Sequence, residues 1–103
     1  MPGDPEFRMV VADIFFIRGR GTVVTGIISQ GSVSVGDSFT IYSTDKSIET
    51  TAVGIEIFRR HVKTAGTGQR VGLVLPDITK DAVSRGDVLA GSDYQHEDVW
   101  WES

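Results

Sequence analysis

Gly21-Thr-Val-Val-Thr-Gly26 is the stretch whose spacing comes nearest to nucleotide chemistry. A phosphate loop reads G-x-x-x-x-G-K-[ST]. Its lysine reaches the β- and γ-phosphates, and its hydroxyl binds Mg²⁺. Here Ile27 and Ile28 stand in those two places, so the groups that would handle a nucleotide are missing. The glycines are read as structural, and the chain is expected to have no enzymatic activity. Metal chemistry is equally poorly supplied. There is no cysteine, and His61 and His96 lie far apart with no partner at metal-ligand spacing, so both are read as surface residues. No metal or cofactor is expected. What remains is polar binding chemistry. Arg59-Arg60-His61-Val62-Lys63 is the densest basic run, readable as a solvated strand end or as a phosphate contact. Glu56 stands singly between apolar neighbours, and Arg70 could pair with a phosphate or with a nearby acidic side chain.

These residues must be positioned by a small body. A chain of 103 residues, 40% hydrophobic and 23% charged, has room for one domain and one core. No apolar run approaches the roughly 18 residues that cross a bilayer as a helix. A cytoplasmic protein without a membrane partner is expected. The net charge of −4 is unevenly spread. Residues 1–6 (MPGDPE) read like translated cloning sites and are set aside from the fold. Residues 92–103 form an acidic tail carrying Tyr94, Trp100 and Trp101. Between them, residues 7–91 make the domain, and without the acidic ends the body carries a small positive charge. That is too little for non-specific duplex binding driven by counterion release, although a local contact to one RNA end stays open.

Within the body, period-2 patterning is punctuated by glycine-bearing turns, the mark of an all-β domain. Arg8–Ile17 reads as a first strand with both faces apolar, and Thr22–Ser29 as a second, joined through Gly19 and Gly21. Asp37–Ser43 places Phe39 and Ile41 on one face. Glu49–Arg59 reads as one strand, with Thr51, Val53, Ile55 and Ile57 on the inner face and Gly54, Glu56 and Phe58 on the outer. Arg70–Leu75 turns Val71, Leu73 and Leu75 inward and Arg70, Gly72 and Val74 outward. Asp77–Val83 is read as a short helical turn, and Asp87–Ala90 as the last strand. About six short strands without a long helix favour a small closed antiparallel β-barrel, because closure removes exposed edges.

The segment Asp13-Ile-Phe-Phe-Ile-Arg-Gly-Arg-Gly-Thr-Val-Val-Thr-Gly26 resembles the opening of the second domain of elongation factor Tu and related translational GTPases, approximately D-V-F-x-I-x-G-R-G-T-V-x-T-G. Further blocks follow in the family's order. Gly31-Ser-Val-Ser-Val-Gly-Asp37 is similar to G-x-[IV]-x-V-G-[DE], and Gly54-Ile-Glu-Ile-Phe-Arg59 to G-[IV]-E-M-F-R. Ala65–Leu75 and Arg85-Gly-Asp-Val-Leu-Ala90 are similar to A-G-x-x-[VA]-G-x-x-L-R and R-G-x-V-L-A. The resemblance spans roughly residues 7–90 and implies the β-barrel of that domain without the GTPase itself.

It also implies a site. In the family, the outer face of this barrel helps hold the 3′ end of aminoacyl-tRNA. Carried over, Ile17, Gly19, Val23 and Val74 would form an apolar cleft for the terminal adenine, and Glu56 would contact the adenosine. Arg59 and Arg70 are the candidate phosphate contacts. An unpaired terminal base can lie against a flat apolar surface while a carboxylate accepts from ribose or amino groups. The chain departs from the family at Ala12 (usually glutamate), Arg70 (usually an asparagine of the aminoacyl pocket) and Phe16 (usually small and polar). Three readings stay open: a module binding the tRNA 3′ end or another ribosome-related RNA, a protein-interaction module using Phe16 or Trp100–Trp101, and one piece of a larger GTPase.

Overall fold

The computed structural model describes residues 3–95. The chain forms strands β1 (Arg8–Val10), β2 (Asp13–Ile17), β3 (Gly21–Gln30), β4 (Ser32–Ser34), β5 (Ser38–Tyr42) and β6 (Ser47–Thr51). These are followed by β7 (Gly54–Ile57), β8 (Arg60–Val62), β9 (Thr64–Gly66), β10 (Arg70–Leu75) and β11 (Val88–Ala90). Its helical content, among the described residues, is one 3-10 turn at Lys80–Ala82, inside the segment expected to turn. The protein is an all-β barrel. Hydrogen bonding runs β6-β5-β11-β1-β3-β10-β7-β8, with β2 added beside β3, and β4 pairs with β9 as a separate ribbon.

Strand β3 is the pivot. Along one edge it meets β10 from Thr22 to Ile27. Along the other it pairs first with β2, over Gly21–Thr25, and then with β1 at Ile28 and Gln30. The expected single strand Arg8–Ile17 is therefore two. It breaks at Val11 and Ala12, whose N–H groups donate to the carbonyls of Asp87 (2.9 Å) and Thr25 (2.7 Å). Gly26 sits under this break, and a Cβ there would lie 2.4 Å from the Val10 carbonyl oxygen. The bend exists because β3 yields space at that point.

A second break corrects the inner face expected of Glu49–Arg59. The strand stops at Thr51 and restarts at Gly54. Between them Ala52 N–H donates to Asp37 O and Val53 N–H to Val74 O, so the chain leaves one ladder and joins another. Parity shifts by one across the bend. Thr50 and Ala52 point inward before it and Ile55 after it, whereas Val53 is 51% exposed. Thr51 also lies off the core and shares a 3.3 Å hydroxyl contact with Ser38. A one-residue slip of this kind exchanges the two faces of a strand. These kinks turn two of the six expected strands into four, and β4, β8 and β9 bring the total among the described residues to eleven.

The core is continuous otherwise. Met9, Val24, Ile28, Phe39, Ile41, Ile55, Val71, Leu73, Leu75 and Leu89 are buried, and Ile57 packs at its margin. Phe7 is part of it, edge-to-face with Phe39 at 5.4 Å between ring centroids. The residues before it are also engaged. The Asp4 carboxylate accepts from Glu6 N–H (2.9 Å) and Ser32 N–H (3.0 Å), and Pro5 O accepts from Asp93 N–H (2.9 Å). Two turns are built alike: Gly36 and Gly86 take φ of 97° and 91°, and the next residue's carboxylate accepts the N–H three positions back. Those pairs are Asp37 with Ser34 (2.9 Å) and Asp87 with Ser84 (2.8 Å).

Candidate functional site

The outer face of the β2-β3-β10-β7 region is laid out by register. Ile17 lies opposite Gly21 beside the β2–β3 turn. The next outward row is Phe15, Val23, Val74 and Gly54. Beyond it come Asp13, Thr25, Gly72, Glu56 and His61, and then Ile27 beside Arg70. Apolar groups thus occupy the end near the turn, a carboxylate the middle, and guanidinium groups the far end.

A groove of about 350 Å³ opens on this face, and Ile17, Val23, Glu56, Arg59 and Arg70 all line it. Five of the seven residues expected at the site are brought together. The remaining two are placed differently. Val74 is Val23's cross-strand partner, and both are only 4% exposed, but Val23 lines the groove and Val74 does not. Gly19 lies in the β2–β3 turn, at φ 84°, and does not line it either. His61 is exposed, as expected. Phe16 is exposed but has Ile14's parity on β2, away from the groove. His96, Trp100 and Trp101 lie outside the described residues.

Glu56 does not face open water. Its carboxylate forms an ion pair with Arg20, and His61 Nδ1 lies 3.6 Å from the same oxygen. Asp13, on the opposite wall, is paired with Arg85 at 2.9 Å. The site therefore offers a flat apolar wall, a carboxylate already engaged by a cation, and Arg59 and Arg70 at the charged end. Such a surface can take up a planar, partly polar ligand with a negatively charged extension.

Sequence reading missed three contributors. Phe15 shares parity with Ile17, and its pairing with Val23 makes it part of the wall. Gly72 forms the floor between Thr25 and Glu56; a Cβ there would lie 3.3 Å from Val23 Cγ1 and occupy the groove. A glycine inside a central strand often marks a close approach by a ligand or another backbone, and that was the available signal. The third is Phe58. Strand β7 ends at Ile57, and Phe58 and Arg59 form the two-residue connection to β8. Both have positive φ, 51° and 66°, the geometry of a primed hairpin turn usually made from Asn and Gly. Phe58 stands 92% exposed at the lip of the groove.

A left-handed L-residue costs about 1–2 kcal/mol. Replacing Phe58-Arg59 by Asn-Gly should therefore raise the unfolding free energy by about 1–2 kcal/mol in a denaturant titration. An unchanged or lowered midpoint would show that the Phe58 and Arg59 side chains contribute to folding more than the turn geometry costs.

The family model of elongation factor Tu domain 2 matches residues 21–90. Val23, Glu56, Arg59, Arg70 and Val74 fall within the match, while Ile17, Gly19 and all of β2 precede it. Among the described residues no helix is long and apolar enough to cross a membrane.

Proposed function

From the premise that the chain belongs to the elongation factor Tu domain 2 family, we propose that this translation-factor β-barrel module receives the unpaired 3′ end of an RNA, that of tRNA first among them, in the outer groove. One observation carries the proposal: Ile17, Val23, Glu56, Arg59 and Arg70 line one groove. The terminal base lies against Phe15, Ile17 and Val23. Glu56 accepts from the ribose or the exocyclic amine, and the open floor at Gly72 admits the ring edge. Arg59 and Arg70 take the phosphates of the preceding nucleotides. Arg70 adds a charge where the family has an amide, so an RNA end is a better fit than an esterified amino acid.

The module binds without catalysis and works in the cytoplasm. Purified free of contaminants, it should neither bind nor hydrolyse GTP, because Ile27 and Ile28 stand where a lysine and a hydroxyl are needed. GTP turnover above the buffer rate would overturn that part.

The RNA reading is tested by calorimetry with 5′-CCA-3′ and 5′-ACC-3′ oligonucleotides. A single base contact is worth about 1–3 kcal/mol, so affinity should be weak but several-fold better for the strand ending in adenine. Glu56→Ala should remove that preference while leaving the amide spectrum of the barrel intact. Equal binding of the two strands would contradict terminal-base recognition. Phe16, exposed on the other side of β2, favours a second reading as a protein contact, and binding there would be insensitive to Glu56→Ala.

A further inference from the structure

Glu56 is the residue that would accept from a nucleoside, yet its carboxylate is already held by Arg20. The pair is partly withdrawn from water, with the Arg20 side chain 35% and the Glu56 side chain 21% exposed. Arg20 belongs to the β2–β3 turn, where its N–H donates to Ile17 O at 2.9 Å and Gly19 and Gly21 take φ of 84° and 108°. The turn thus fixes the backbone from which the side chain reaches out. Glu56 lies in the Asp13–Thr25–Gly72 row, and the Phe15–Val23–Val74–Gly54 row separates it from the turn. A side chain joining the two must cross that apolar row. Val23 and Val74 are paired in that row and are both only 4% exposed, but Val23 lines the groove and Val74 does not.

We propose that Arg20 is a latch on the nucleoside site. In the free protein it neutralises Glu56 and covers Val74, so that only the β2 side of the apolar surface is open. A nucleoside engages Glu56 only as Arg20 lets go, and release extends the groove onto Val74. Competition follows from chemistry. Glu56 Oε2 already accepts from a cation, with His61 close to the same oxygen, and a neutral hydroxyl or amine is the weaker partner. Part of the binding free energy is then spent opening the pair, as for any ligand whose competent state is not the populated one. This proposal rests on the nucleoside reading of the groove and adds its regulation.

The prediction runs against the usual expectation that removing a basic residue weakens binding to a nucleic-acid component. With adenosine as the probe, which has no phosphate, Arg20→Gln should bind roughly two- to five-fold more tightly than the wild type, the reach of a partly exposed ion pair. Arg20→Lys, which keeps a cation on a shorter-reaching head group, should stay near the wild type. A second readout needs no ligand. In methyl NMR with a soluble paramagnetic agent, the Val74 methyls should broaden more in Arg20→Gln than in the wild type, while those of buried Leu73 should not change. Adenosine affinity in Arg20→Gln equal to or below that of the wild type, with the wild type binding, would overturn the latch and leave the groove reading standing. Val74 methyls equally protected in both proteins would also overturn it. Adenosine bound by neither protein would overturn the nucleoside reading itself, and with it the ligand named here.

Discussion

Leu73→Ala should lower the unfolding free energy by about 2–5 kcal/mol, the range for deleting a buried leucine from a packed core. Leu73 is the residue for which the full effect is expected. It is completely buried at the middle of β10, flanked by Val24 on β3 and Ile55 on β7. Both neighbours are themselves fully enclosed and sit on paired strands, so the space left behind cannot easily collapse. Strand β10 also carries Arg70 and Gly72 on its outer face. Loosening it therefore disturbs the groove as well as the core. Chemical denaturation monitored by far-ultraviolet circular dichroism or amide NMR signals measures the loss. A change below about 1 kcal/mol would mean that the core is not packed as described.

Gly26→Ala should be nearly as damaging, by about 1–3 kcal/mol or more, for the opposite reason. The added methyl would lie 2.4 Å from the Val10 carbonyl oxygen and 3.2 Å from Met9 Cγ. The first contact is with backbone, which can move only if the junction between β1 and β2 moves. Gly72→Ala makes the fitting comparison, since its nearest contact is a side-chain methyl at 3.3 Å. It should cost much less stability while narrowing the groove. Similar midpoints for the two variants would show that the β1–β2 junction yields freely and that Gly26 is not what permits the bend.

Much of this architecture was legible because its determinants are local. Alternation identified Phe39 and Ile41, and Val71, Leu73 and Leu75, as inward-facing, and burial agrees at each. The two Gly-Asp turns were visible as motifs, and their shared geometry has a simple basis: glycine accepts the positive φ while the aspartate satisfies the amide three residues back. What could not be read locally was where a strand changes partner. Nothing in Thr51-Ala-Val-Gly54 signals a bend, because its cause lies in distant groups, Asp37 O and Val74 O, that take the Ala52 and Val53 amides. Val53 was placed inward for that reason.

The groove follows the same division. Glu56 and Val23 were nameable from pattern and resemblance, whereas the Arg20–Glu56 pair needed the register of three strands. Phe58 and Arg59 looked like the end of a strand, since a primed turn without Asn or Gly leaves little trace in sequence. Val74 shares its row with Val23 and Gly54, but alternation along β10 gave no sign that it would be only 4% exposed.

Binding of the terminal nucleoside of a single-stranded RNA end in this groove is measured by an NMR titration of the chain with 5′-CCA-3′ beside a mononucleotide control. Fast-exchange shifts should concentrate on Ile17, Gly19, Val23, Glu56, Gly72 and Val74, with Phe58, Arg59 and Arg70 moving for the oligonucleotide more than for the mononucleotide. Shifts confined to Phe16 or to the Trp100–Trp101 tail, or none on the groove at saturating oligonucleotide, would contradict it.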